Sequence, residues 1–363
     1  MSALPHFAVI CTGAIGILVA YVIILISNGK SVFVCEGNKK IFKSLPSQPY
    51  IFYMAIKKSL FAKKTKSIKL PDVQLVQKSI TLSEDHVSKY RDICGFSKQN
   101  EVPITYHYLT IFPLQALLLV DESFPFQALG LVHLANRIQQ FKQLQVNEKV
   151  KAVVKFDQAV IPHEKGYCFT VISELFTDVS DELLWRSEST YLFRTKASKG
   201  ATGKLYESTV KAEDMTGVEK RHNWDIPDDF SRKYASVSGD YNPIHLYGIT
   251  AKLFGFPHGC IMHGMWSIAA CSAQIMPVIT ADTTKAAKSS TGGALAEIYV
   301  ELKLPMYVPA TPTLFCTEAM VKKASSHCSS TFEIAVNKRG KKGDIVPHLR
   351  GKCSWLAAAS SSK

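Results

Sequence analysis

The stretch YASVSGDYNPIHLYGITA, Tyr234 to Ala251, decides how this chain is read. It sets Asp240, Asn242 and His245 within six positions, with Gly239 before them and Pro243 among them. On a regular helix, residues five apart point about 140° away from each other. Gly239 and Pro243 break such a helix through Asp240–Asn242. Pro243 suits the first turn of a new helix, and Asn242 suits its N-cap. Asp240 then sits on the turn and His245 on the new helix, so the two side chains can converge on one space. A carboxylate and an imidazole that meet over a water can move protons near neutral pH. The same residues also suit a plain capped helix start, with His245 an ordinary surface residue. Spacing alone leaves both readings open.

Downstream lies GFPHGCIMHGMWSIAACSAQI, Gly255 to Ile275. His263-Gly264 precedes an apolar helical run, and a glycine at a helix start lets a ligand approach free backbone N–H groups. Such N–H groups suit a developing oxyanion; a close-packed helix entrance is the plainer reading. His258 and His263 lack metal-ligand spacing with His245, so no metal is expected.

Upstream, KYRDICGF (Lys89 to Phe96) aligns without gaps on KYASVSGD (Lys233 to Asp240). Lys, Tyr and Gly are identical, and Phe96 stands opposite Asp240. Each copy precedes an apolar, helical stretch, Tyr106 to Val120 and Met262 to Met276. Strand-like runs follow in both halves: KAVVKFDQAVI, YCFTVISELF and STYLFRT, then LAEIYVELKL, TLFCTEAMV and TFEIAVN. A helix between an early segment and antiparallel strands predicts an α+β layer, one sheet wrapping one helix, twice over.

At this point the residues are familiar. Tyr234-x-x-Val237-Ser238-Gly239-Asp240-x-Asn242-Pro243-Ile244-His245, followed by Ala251, resembles the hydratase signature of the MaoC-like family, which includes the (R)-specific (type 2) enoyl-CoA hydratases and the related 3-hydroxyacyl dehydratases. The segment Ile104 to Ile138 is similar to the first half of two-domain members, which are double hot-dog proteins. The resemblance implies a dyad of Asp240 and His245, with Asn242 holding the loop. Gly264 would offer its N–H to the thioester carbonyl, and Ser272 falls where some members place a hydroxyl beside the Asp. The first half, with Phe96 at the acid position and no NPxH after it, is expected to be catalytically empty and could hold the acyl chain. No cofactor is implied, since CoA or an acyl-carrier pantetheine is part of the substrate.

The 363 residues suffice for two domains and a sizeable core, and 20% charged with 47% hydrophobic residues reads as globular. Of the net charge of +13, the segment Lys30 to Lys69 supplies ten Lys against one acid, Glu36. A confined basic stretch argues against a nucleic-acid groove and for a membrane neighbour. Before it, Phe7 to Ser27 runs uncharged, long enough to span a bilayer as a helix. No Lys or Arg precedes that run, as a signal peptide would require. The Lys residues after it place the body on the cytosolic side. YIFYMAIKKSLFAKK, Tyr50 to Lys64, reads either as a membrane-surface segment or as a solvated linker. Nine Cys without a CxxC support neither a disulfide framework nor a zinc site.

The expected organisation is a transmembrane anchor (1–28), a Lys-rich juxtamembrane segment (29–70), a non-catalytic hot-dog domain (71–200), a linker (201–214) and a catalytic hot-dog domain (215–360). The expected activity is reversible hydration of trans-2-enoyl thioesters to (3R)-hydroxyacyl thioesters in fatty-acid metabolism. Acyl-CoA or acyl-carrier protein is the expected substrate partner, the membrane a second partner, and another copy of the chain a third, as a homodimer. The alternatives are a membrane-anchored, non-catalytic acyl-CoA-binding protein and a hot-dog acyl-CoA thioesterase.

Overall fold

The same order of elements occurs twice along the chain. The computed structural model describes residues 32–61, 68–97, 101–195, 205–276, 295–318, 320–322, 327–337 and 344–356. The chain opens with a hairpin, β1 (Val32–Glu36) and β2 (Lys39–Ser44), and a helix, α1 (Gln48–Phe61). The first half then runs β3 (Gln74–Thr81), α2 (Glu84–Cys94), α3 (His107–Val120), β4 (Val132–Gln140), β5 (Lys149–His163), β6 (Gly166–Thr177) and β7 (Leu183–Arg194). The second half runs β8 (Glu219–Asn223), α4 (Phe230–Ser238), α5 (Pro243–Leu246), α6 (Gly248–Leu253), α7 (Gly264–Ile275) and β9 (Ala296–Leu302). It closes with β10 (Thr313–Cys316), β11 (Met320–Lys322), β12 (His327–Asn337) and β13 (Ile345–Leu356).

The strands form one 13-stranded sheet in the order β1-β2-β3-β5-β6-β7-β4-β9-β13-β12-β10-β8, with β11 paired to β12. With β11 set aside, the order read from the outer end of each half is the same: first strand, third, fourth, fifth, second. The second strand of each half meets the other at the centre, where β4 pairs antiparallel with β9 from Ala135–Glu301 to Gln140–Ala296. Two separate sheets were expected from the sequence. The β4–β9 ladder joins them, because pairing these two edges satisfies the backbone groups each would otherwise expose.

Each half wraps its sheet around one apolar helix. In β5, Val150, Ala152, Val154 and Phe156 alternate inward, and their partners face out. Helix α3 is apolar almost all round, and Ile111, Leu114 and Leu118 have no exposed surface. In α7, Ala269, Ala270 and Cys271 play that part, and the smaller side chains let the sheet approach closely.

The described part of the Lys-rich segment belongs to this fold. Strand β2 pairs in parallel with β3, and α1 lays Ile51 and Ala55 against Val120 of α3. Lys40 is ion-paired with Asp121, and Lys58 sits over the Phe124 ring at 4.8 Å. Part of the apolar face of α1 thus packs on the protein core, and residues 62–64 of the stretch read as a membrane-surface segment or a linker lie outside the described residues. The run Phe7–Ser27 lies outside the described residues. Among those described, no helix is long and apolar enough to cross a membrane. The connection between the halves, where described, is pinned to the sheet: Thr209 N–H and Val210 N–H both donate to the Glu301 carboxylate, and Val210 is fully buried.

Candidate active site

Helices α2 and α4 end alike. Gly95 (φ 79°) and Gly239 (φ 73°) cap them in the left-handed conformation, which glycine adopts without a Cβ penalty. Their N–H groups donate to the equivalent carbonyls of Arg91 and Ala235. The next residue is Phe96 in one half and Asp240 in the other. After that the halves diverge. The first reaches its central helix through residues 97–106. The second uses the longer segment 241–263, which carries α5 and α6.

Asp240 shapes its own turn. Its Oδ1 accepts from Asn242 N–H at 3.1 Å, and its N–H donates to Ser238 Oγ at 3.2 Å. Asn242 caps α5 through Oδ1, which accepts from Ile244 N–H at 3.4 Å, and Pro243 occupies the first turn. His245 therefore points inward and is 8% exposed. Its Nδ1 lies 2.8 Å from the carbonyl of Ile261. A carbonyl only accepts, so Nδ1 carries the proton and Nε2 is left as a basic lone pair.

His263 completes the group. Its Nε2–H donates to the backbone carbonyl of Asp240 at 3.0 Å, and its ring stacks on His245 at 3.8 Å with 26° between planes. Tyr234, the Tyr of the signature, closes the far face of His263 at 5.0 Å. Polar atoms of Asp240, His245 and His263 all lie within 4.8 Å of one another. That spacing fits a bridging water. It fits a metal poorly, because near-parallel rings aim their in-plane lone pairs side by side rather than at one point.

Burial sets the electrostatics. It raises the Asp240 carboxyl, against the opposing pull of His245 and the Asn242 N–H. It lowers His245, against the opposing effects of Asp240 and the Ile261 carbonyl. It drives His263 well down, and His245 adds to that effect. Both members of the pair are thus pushed toward their neutral forms, the condition in which one can give a proton and the other take one.

Gly264 opens α7 directly after His263. As the first helical residue it has no intrahelical acceptor for its N–H. An added Cβ would meet Leu302 Cδ1 at 2.8 Å, so a side chain here requires Leu302 to shift. Ser272 is not brought to the dyad. Its hydroxyl donates to the Ala269 carbonyl at 2.8 Å, and it stands eight residues along α7 from Gly264, roughly 12 Å of helix. It lines instead a small cavity shared with Phe96, Arg91 and Ile104 of the first half.

The reason is the pseudo-two-fold. Tyr106 caps α3 as His263 caps α7, so Gln115 is the first-half equivalent of Ser272. Ser272 lies in the third turn of α7, where it meets first-half residues. Gln115 donates to Tyr191 Oη of its own half at 3.0 Å, in a cluster with Tyr108, and Asp240 adds to the upward push that burial gives both phenols. The halves also clasp each other beside the two turns. Trp266 Nε1–H donates to the Ile93 carbonyl at 3.0 Å, and His86 Nε2–H donates to the equivalent carbonyl, Val237, at 2.7 Å. His86 Nδ1 in turn accepts from Tyr106 Oη at 2.8 Å. Sequence reading missed His263, His86 and the Gln115 cluster. Only the position of His263 at the helix entrance hinted at any of them.

A family model described as "MaoC like domain" matches residues 207–290. The 3-hydroxyacyl-thioester dehydratase X of Mycobacterium tuberculosis is 30% identical over 207 residues, covering 57% of this chain and 71% of that protein. Among solved structures, that of HtdX from Mycobacterium tuberculosis matches with a TM-score of 0.58 at 24% identity, covering 77% of this chain and 98% of that one. A MaoC-like dehydratase from Phytophthora capsici matches with a TM-score of 0.55 at 16% identity, over 83% and 100%. The structural likenesses show the shared fold.

Proposed function

The chain belongs to the MaoC-like dehydratase family, and from that premise we propose that it reversibly hydrates trans-2-enoyl thioesters to (3R)-hydroxyacyl thioesters, with Asp240 and His245 moving the protons. It is an enzyme of the dehydratase class. The observation that carries the assignment of roles is the hydrogen bond from His245 Nδ1 to the Ile261 carbonyl, which leaves Nε2 basic in a ring that lies close to Asp240.

In the hydration direction, one water sits between His245 Nε2 and Asp240. Nε2 takes a proton from it as the oxygen attacks Cβ, and Asp240 in its protonated form delivers a proton to Cα. Burial favours that neutral starting pair. The enolate oxygen that develops accepts from the Gly264 N–H, aided by the positive end of the α7 dipole. Asn242 holds the turn by capping α5 and by donating its N–H to Asp240. The reverse sequence dehydrates. CoA or a carrier pantetheine enters as part of the substrate, so the residues of the site suffice for the chemistry.

Thioester hydrolysis finds less support. The buried pair Ser267 and His348, 2.9 Å apart, has Ser267 wholly enclosed and His348 tied to the Leu304 carbonyl, so no thioester reaches the hydroxyl. The apolar run Phe7–Ser27 and the Lys residues after it support membrane anchoring with the body on the cytosolic side. The test is to incubate the purified protein with trans-2-enoyl-CoA substrates of several chain lengths, with chiral analysis of the product and a thiol-release control. Formation of the (3R)-alcohol is expected. Free thiol without hydration would replace this reading with a thioesterase, and binding without turnover would replace it with an acyl-CoA-binding protein.

A further inference from the structure

Two polar clusters of the first half lie near the dyad, and they differ in how they are finished. In one, Asn136 is fully employed. Its amide donates to Ser189 Oγ at 3.0 Å, its oxygen accepts from Ser187 Oγ at 3.0 Å, and it touches Met265 Sδ at 3.8 Å. This cluster lies across the β4–β7 pair, where both polar ends of Asn136 are satisfied, and it reads as structure.

The other cluster is left open. Tyr108 Oη lies 3.3 Å from Tyr191 Oη, and Gln115 Nε2 donates to Tyr191 at 3.0 Å. The His133 ring stacks on Tyr191 at 4.8 Å. Gln115 Oε1 and His133 Nε2 are both buried and have no hydrogen-bond partner among the described residues. His133 donates its other ring N–H to the backbone at Ala135, which makes Nε2 a lone pair. Both unpartnered atoms are therefore acceptors. A buried polar atom left unpaired typically costs about 1–3 kcal/mol of stability. Phe112 stacks on Tyr108 and Phe169 on Tyr191, and Ser189 reaches both phenols.

The cluster is joined to the start of α7: Ser189 reaches both phenols and bonds Asn136, and Asn136 touches Met265, the residue after Gly264. The charge of Asp240 reaches both phenols, Tyr108 and Tyr191, adding to the upward push that burial gives them. With the thioester carbonyl at Gly264 and Cβ at the dyad, a chain that continues past Met265 would meet these first-half residues.

We propose that Tyr108, Gln115, His133 and Tyr191 form a subsite for a hydroxyl on the acyl chain beyond Cβ, so that the enzyme selects hydroxylated acyl thioesters over plain ones. The two open acceptors call for a donor. A hydroxyl gives its proton to Gln115 Oε1 or His133 Nε2 and accepts from a phenol in return. An alkyl chain offers nothing, and a keto oxygen offers no proton. The subsite rests on the proposed dehydratase reading only for the direction in which the chain runs.

Binding can be read without catalysis. Dissociation constants of hexanoyl-CoA, 5- and 6-hydroxyhexanoyl-CoA and 5-oxohexanoyl-CoA are measured by calorimetry on the full chain, Gln115→Leu and Tyr191→Phe. In the wild type, at least one hydroxylated ligand should bind roughly tenfold tighter than hexanoyl-CoA, and the keto ligand should not. The preference should fall below about threefold in both variants. Tyr191→Phe removes a single oxygen, so it keeps the test decisive if Gln115→Leu fails to fold. A wild-type preference near one, or a preference that survives both variants, overturns the subsite. Crotonyl-CoA hydration is assayed on the same preparation. If that fails while the binding preference stands, the dehydratase reading falls and the subsite does not.

Discussion

Phe96 and Asp240 follow the same left-handed glycine at the end of the same short helix, yet one lines a closed cavity and the other faces two histidines. The difference extends well beyond those two residues. Where the second half has His263 and Gly264, the first has Tyr106 and His107, and the first lacks the segment that carries His245. What the first half kept is its share of the other half's site: His86 grips Val237 from across the pseudo-two-fold, and Tyr108 and Tyr191 lie within the electrostatic reach of Asp240. A half can lose its own chemistry while still building its partner's.

The widest gap between the halves is expected in turnover. His245→Gln should lower kcat/KM for enoyl-CoA hydration by about 10²–10⁴. Phe96→Asp should leave the wild-type rate within about twofold, because the first half has no counterpart of His245 and carries His107 where the second half has Gly264. A gain of activity in Phe96→Asp, Asp240→Asn would break the comparison. The pH profile of kcat/KM should be bell-shaped. At low pH both members of the dyad are protonated and no base remains; at high pH neither is, and no acid remains.

Stability should show the halves acting as one. Burial holds His133 in the first half and His348 in the second at about 4, below the ordinary value of 6.5. Their folded-state values are depressed, so the unfolded chain binds more protons as pH falls. The stability they contribute is complete above about pH 6.5 and is lost toward pH 4, on the order of 1–3 kcal/mol for each. Denaturant melts across that range should show one transition, since β4–β9 fuses the sheet. Two separate transitions would argue against a single cooperative unit.

Smaller effects sharpen the contrast at the helix entrances. Gly264→Ala forces a Cβ against Leu302 and displaces the N–H, and a loss of roughly tenfold to hundredfold in kcat is expected with KM little changed. At the equivalent first-half position, His107 is fully buried and neither ring nitrogen has a hydrogen-bond partner among the described residues. His107→Leu should raise stability by about 1–2 kcal/mol in thermal melts and leave turnover unchanged.

Much of this was legible from sequence because it depends on local chemistry. The glycine caps, the Asn242–Pro243 helix start and the alternation in β5 are each written in adjacent residues. The strand runs were likewise readable one by one. Partnerships across the pseudo-two-fold were not. Ser272 meets Phe96 and Ile104 of the first half only in the folded protein, and nothing near it in the chain records which half it will face. The role of α1 was hidden for the same reason, since its aromatic and apolar face looks alike whether it meets lipid or Val120.

The most direct test of the account is the rate of crotonyl-CoA hydration by Asp240→Asn beside the wild type, with folding checked by circular dichroism. A folded variant slowed by about 10² or more is predicted. A folded variant that hydrates as fast as the wild type would contradict the assignment of the chemistry to the second half.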